Sequence, residues 1–112
     1  MDIPALKQYL NCDNDFLESI INKFIEESRK ITLDITESAK AGNWKQVGLS
    51  AHKMLSSVKI FEITDLISLL EKLEKEAPIE SKHNELNAAI ENLIILNEKA
   101  IKDLQAAFAE LE

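Results

Sequence analysis

Apolar residues recur three and four positions apart along nearly the whole chain, in four separate runs. Leu17, Ile21, Phe24, Ser28, Ile31 and Ile35 form the first; Trp44, Val47, Ala51, Met54, Val58 and Phe61 the second. Leu66, Leu70, Leu73 and Ala77 form a third, and Leu86, Ile90, Leu93, Asn97, Ala100, Leu104, Ala107 and Leu111 a fourth. Such spacing puts each set on one face of an α-helix. The breaks between runs carry helix punctuation. Pro4 suits the first turn of a short helix, and the polar stretch Asn11 to Asp15 separates it from the first long run. Gly42 suits a left-handed helix stop. Asn43 then reads as an N-cap, with Gln46 completing a capping-box-like pair. Thr64 and Asp65 give a weaker start signal, and Pro78 closes the third run.

The expected fold is therefore all-α: an antiparallel four-helix bundle with a short additional N-terminal helix. The helices are expected at about residues 3–10, 14–41, 44–61, 65–77 and 82–111, in one domain over 1–112. A sustained heptad could also build a coiled coil, but the breaks and the apolar residues flanking each stripe favour a self-contained bundle. With two glycines and two prolines in 112 residues, little material remains for the turns of a β-sandwich. At 46% hydrophobic the chain is too apolar for disorder. It holds no run of the roughly 20 apolar residues that a membrane span needs, and no secretory leader is expected.

The formal charge of -7 disfavours nucleic acid, whose phosphates would be repelled. The single cysteine, Cys12, excludes an internal disulfide and a cysteine-based zinc site, and reads as a small, partly buried apolar residue. Asn97, on the last stripe, reads as a buried polar group paired with a neighbour. His83 reads as a solvated residue at a helix start, unpaired with any other histidine.

One residue stands apart from this plain architecture. On the second helix the apolar stripe centres near Val47 and Met54, and His52 lies roughly 130° away, toward solvent. Gly48 and Ser56, four residues either side, are small. A glycine inside a helix costs about 1 kcal/mol relative to alanine, so Gly48 suggests close approach of a partner. Lys45 and Lys59 share the face of His52, seven residues either side, and Leu49 and Leu55 flank it with apolar surface. A neutral imidazole nitrogen is a good nucleophile, and an ordinary pKa of about 6.5 leaves the ring mostly neutral at pH 7. Lysines around it would attract an arriving phosphoryl group. No second histidine or carboxylate stands at i+3 or i+4 to build a metal site, and none on this helix is placed to orient the ring as in a hydrolytic triad. An incidental surface histidine is the competing interpretation.

These residues resemble the histidine-containing phosphotransfer (HPt) domain of multistep two-component phosphorelays. The family's pattern reads approximately A-H-x-L-K-G-S-S/A, then G-A, then a leucine-rich helix ending in L-E. Ala51-His52-Lys53-Met54 matches the opening, and Ser57 the serine at the fifth position after the histidine. Ile63 and Leu66 stand at the alanine and the following leucine, and Leu73-Glu74 at the closing pair. Upstream, Asp15-Phe16-Leu17 with Phe24 resembles the family's entry to the first long helix, and Gly42-Asn43-Trp44 its G-D-W segment. Where the family often has lysine and glycine, three and four residues after the histidine, this chain has Leu55 and Ser56. Glu62 stands at the family's glycine after the histidine helix.

The resemblance implies a phosphohistidine carrier, not an enzyme with its own kinase activity. His52 would accept a phosphoryl group from a receiver-domain aspartyl phosphate and pass it to another receiver. Lys45, Gly48, Leu49, Leu55, Ser56 and Lys59 would stabilise phosphate or dock the receiver, with Lys59 standing in for the missing lysine. No intrinsic cofactor or metal is expected; Mg²⁺ would come from the receiver. The expected partners are receivers of response regulators or hybrid histidine kinases, with no nucleic acid and no direct membrane contact, and the chain is expected to be a monomer. Its setting would be cytoplasmic, alone or as an excised piece of a membrane-bound hybrid kinase. The alternative is a helical adaptor that binds receivers or other partners without carrying phosphate. A kinase-like dimer phosphorylating its own histidine would need an ATP-binding domain, and the chain has no Gly-rich phosphate loop.

Overall fold

Helix ends in this chain are set by local capping chemistry. The computed structural model describes residues 2–111, so Met1 and Glu112 of the expected single domain lie outside it. The elements are α1 (Ile3–Leu10), α2 (Asn14–Lys40), α3 (Trp44–Ile60), α4 (Thr64–Glu76), a 3₁₀ turn (Glu80–Lys82) and α5 (His83–Ala109). Side chains of Asp2, Asp13 and Asn43 cap α1, α2 and α3 by accepting from the amides of Ala5, Phe16 and Gln46. Those bonds satisfy donors that a helix N-terminus leaves free. Thr64 opens α4 without acting as its cap; Ile63 precedes it and contributes no side-chain bond. The Gln46 side chain does not return to Asn43 as a capping box requires. It donates to Asp34 and Ser50, joining α3 to α2, while the Asn43 amide is taken by the Ser38 carbonyl.

Three helices end in the same way. Asn11, Gly42 and Glu62 adopt positive φ of 51°, 75° and 53°. At each, a paired turn returns two amides to the last carbonyls of the helix, as in Asn43 to Ser38 with Gly42 to Ala39, and Ile63 to Val58 with Glu62 to Lys59. The position of Glu62 therefore keeps the left-handed geometry that suits glycine, although the residue is not glycine.

α3 packs against both α2 and α4, and α5 packs against the same two helices. The backbone fills an envelope of 47 × 19 × 17 Å. All four apolar stripes face inward. Leu17, Ile35, Val47, Ala51, Leu66, Leu70, Leu73, Leu86, Leu93 and Leu104 are fully buried, while Ile31, Trp44, Ala107 and Leu111 border the core half-buried. Each large apolar side chain so buried contributes roughly 1.5–3 kcal/mol. Cys12 is half-buried against this core. Asn97 is buried and donates to the Ser28 hydroxyl at 3.1 Å, as its place on the stripe suggests. Surface pairs link the same helices: Arg29 of α2 grips Glu98 of α5 through Nε and Nη2, and Lys72 of α4 meets Glu85 of α5 at 2.8 Å. Among the described residues no helix is long and apolar enough to cross a membrane.

Candidate functional site

The outward arc of α3, the side turned away from Val47 and Met54, carries His52 with its side chain 73% exposed. α4 brings Glu74 beside it. The Glu74 Oε1 lies 2.6 Å from His52 Nδ1. A carboxylate only accepts, so Nδ1 donates and holds the ring proton. In the neutral ring, Nε2 is then the nitrogen with the free lone pair. Glu74 is 22 positions from His52 and on another helix, so the spacing of residues along α3 carries no trace of it. The L-E pair of the resemblance had marked the residue without a role. The absence of an orienting carboxylate, inferred from α3 alone, is corrected here.

A groove of about 740 Å³ opens beside the dyad. His52 and Glu74 border it with Lys45, Gly48 and Leu49, and Trp44 and His83 also line it. Lys45 is exposed, and Leu49 is 56% exposed. Trp44 and His83 stack with ring centroids 4.0 Å apart and planes 11° from parallel. His83 is half-buried, and its Nε2 donates to the Ala77 carbonyl at 2.8 Å. It is therefore not the merely solvated residue that its place at a helix start suggested. Its partners lie six residues back and at the start of α3, 39 residues back, beyond the reach of a periodicity argument.

Gly48 is half-buried, and its space is set from within: a methyl group built there would meet the Ala77 Cβ at 3.6 Å and the Glu74 carbonyl oxygen at 3.8 Å. The close approach is that of α4, where an outside partner had been expected. Leu55 is buried, only 6% exposed, and offers no docking surface. It lies about 100° round from Met54, which would clear a stripe facing one helix, but α3 is covered by two and its buried arc is wider. Ser56 is exposed, and its hydroxyl donates to the Lys53 carbonyl of its own helix. Lys59 is exposed but borders a different groove, with α1 residues Leu6, Tyr9 and Leu10. The structure thus brings together His52, Lys45, Gly48 and Leu49, adds Glu74, Trp44 and His83, and separates Lys59.

The arrangement supplies an accessible imidazole nitrogen, a carboxylate that fixes its tautomer, one cation and an apolar wall. Among the described residues, no group of three or more His, Cys, Asp or Glu side chains stands together to hold a metal ion. No family model, no curated protein and no solved structure matches the chain.

Proposed function

We propose that this chain is a phosphocarrier of the HPt kind, with α2 to α5 forming an antiparallel four-helix bundle and α1 lying across one end. The reading rests on the motif around His52 and on one observation above the others: His52 Nδ1 is held by Glu74, which leaves an exposed Nε2 as nucleophile. In the transfer, the Nε2 lone pair attacks phosphorus of a receiver's aspartyl phosphate. The N–P bond forms as the acyl O–P bond breaks, and the aspartate carboxylate leaves with the bonding pair. Nε2 carries no proton to displace. The positive charge that develops on the ring is stabilised through Nδ1–H by the Glu74 carboxylate, a charge-assisted hydrogen bond. The reverse sequence delivers the group to a second receiver. Mg²⁺ held by the receiver would neutralise charge on the phosphoryl oxygens.

Lys45 is the cation that borders this groove, so it takes the phosphate-attracting role first expected of Lys59. Leu49 and the apolar groove wall would meet the receiver, in a transient contact whose charges chiefly assist encounter and register. The test is incubation with a phosphorylated receiver and Mg²⁺, following labelled phosphate. Acid-labile label on the protein, absent from His52→Gln, is the expected result. Binding to receivers with no label on either protein would identify the adaptor instead.

A further inference from the structure

The contacts around Ala77 extend the site beyond the dyad. Ala77 follows α4 as its C-cap and is buried, with 1% of its surface exposed. Its carbonyl belongs to the set that a helix C-terminus leaves without intrahelical partners, and a buried carbonyl needs a partner. The partner is His83 Nε2, from the first residue of α5. The His83 ring is itself held flat against Trp44, the first residue of α3. Ala77 also lies opposite Gly48, where a methyl group would meet its Cβ at 3.6 Å. Glu74 sits in that same last turn of α4, three residues before Ala77. The starts of α3 and α5 thus converge on the turn that aims Glu74 at His52.

We infer that His83 is a positioning residue for His52: by donating to Ala77 it locks the last turn of α4, which holds Glu74 on Nδ1 and keeps Nε2 free. The inference deepens the phosphocarrier reading and rests on it for its chemical consequence. Without the His83 donor, the last turn of α4 frays, Glu74 loses its aim and the His52 proton is free to move to Nε2. That form has no lone pair at the exposed nitrogen and cannot attack phosphorus. Anything that draws His83 Nε2 away from the Ala77 carbonyl would then switch the nucleophile off.

Ring ¹⁵N and ¹H spectra of the whole chain, at about pH 8 where an ordinary histidine is neutral, read the tautomers directly. Two variants separate the donor from the stack. His83→Phe keeps an aromatic ring on Trp44 and removes the donor; His83→Gln keeps an N–H donor and removes the ring. The expected result is loss of the Nδ1–H form of His52 in His83→Phe and its retention in His83→Gln. The opposite pattern, with the form retained by Phe and lost by Gln, assigns the positioning to the stack in place of the donor and overturns the inference. The wild-type spectrum supplies a test that needs no variant: His83 must itself be in the Nε2–H form, and an Nδ1–H His83 overturns the inference too. Neither readout uses phosphate. If no receiver phosphorylates the wild type while His83→Phe shifts the tautomer of His52, the carrier reading falls and the positioning role stands. If transfer to His52 proceeds and its tautomer ignores His83, the reverse holds.

Discussion

Glu62 occupies a backbone position that an L-residue adopts at a cost. Its φ is 53°, and its amide closes the paired turn at the end of α3. Left-handed geometry costs a residue with a Cβ about 1–2 kcal/mol, and glycine avoids that cost. Glu62→Gly should therefore raise stability by about 1 kcal/mol, read as a higher urea midpoint with an unchanged slope. A lower midpoint would mean that the Glu62 side chain makes a compensating contact. Glu74 carries the second prediction at this scale. A hydrogen bond to a charged group contributes about 1.5–3 kcal/mol, and if that bond acts on the transition state its loss slows transfer about 10- to 100-fold. Glu74→Ala should show that loss in a phosphotransfer time course while unfolding at nearly the wild-type urea concentration, since its side chain is 39% exposed. An unchanged rate would remove Glu74 from the proposed mechanism. His52 was legible in the sequence because it breaks a helical pattern within its own element. Glu74, Trp44 and His83 were not, because their importance lies in contacts between helices 6 to 39 residues apart.

Whole helices were far more legible than the site they build. Periodicity and capping residues place all five α-helices to within two residues at each end, since both signals depend on residues less than a turn or two apart. What the pattern lacks is the identity of the neighbours. Leu55 was expected at the surface and is buried because α3 has α2 on one flank and α4 on the other. Gly48 was expected to admit an outside partner and faces α4. The contact distances there make a specific forecast. A methyl at Gly48 meets Ala77 and the Glu74 carbonyl at ordinary van der Waals separation, so Gly48→Ala should gain helix propensity of about 1 kcal/mol without displacing α4. Thermal melting checks the gain, and the His52 ring signals check that Glu74 stays in place. Destabilisation by alanine would show that α3 and α4 need to sit closer than these distances. Six residues along the same helix, Met54 is 1% exposed. Met54→Ala should cost about 2–5 kcal/mol, against almost nothing for the exposed His52→Gln.

Over the whole molecule, charge sets how stability responds to acid. The chain carries a formal charge of -7, so mutual repulsion among its carboxylates eases as pH falls toward the isoelectric point near 4.9. Two carboxylates work in the other direction. The Arg29 fork holds Glu98 below its ordinary value of 4.5, chiefly by hydrogen bonding, and Lys72 does the same to Glu85. Both pairs tie α5 to the rest of the fold, one to α2 and one to α4. A carboxyl with a lower pKa folded than unfolded binds fewer protons in the native state over the interval between the two values. Stability therefore rises with pH across that interval. The contribution is fully present above about pH 5 and is lost as pH falls through the folded pKa values, which lie below 4.5. Both pairs are solvent-exposed, so each effect is small and is screened by salt. The measurement is the urea midpoint as a function of pH, at low and high salt, for wild type and for the double variant Glu85→Gln, Glu98→Gln. The wild type should lose more stability than the variant between about pH 5 and pH 3, and added salt should narrow the difference. Parallel curves would mean that these pairs do not distinguish the folded chain from the unfolded one. The attachment of α5 would then rest on Leu86, Leu93, Leu104 and their apolar neighbours, with the Asn97–Ser28 and His83–Ala77 hydrogen bonds.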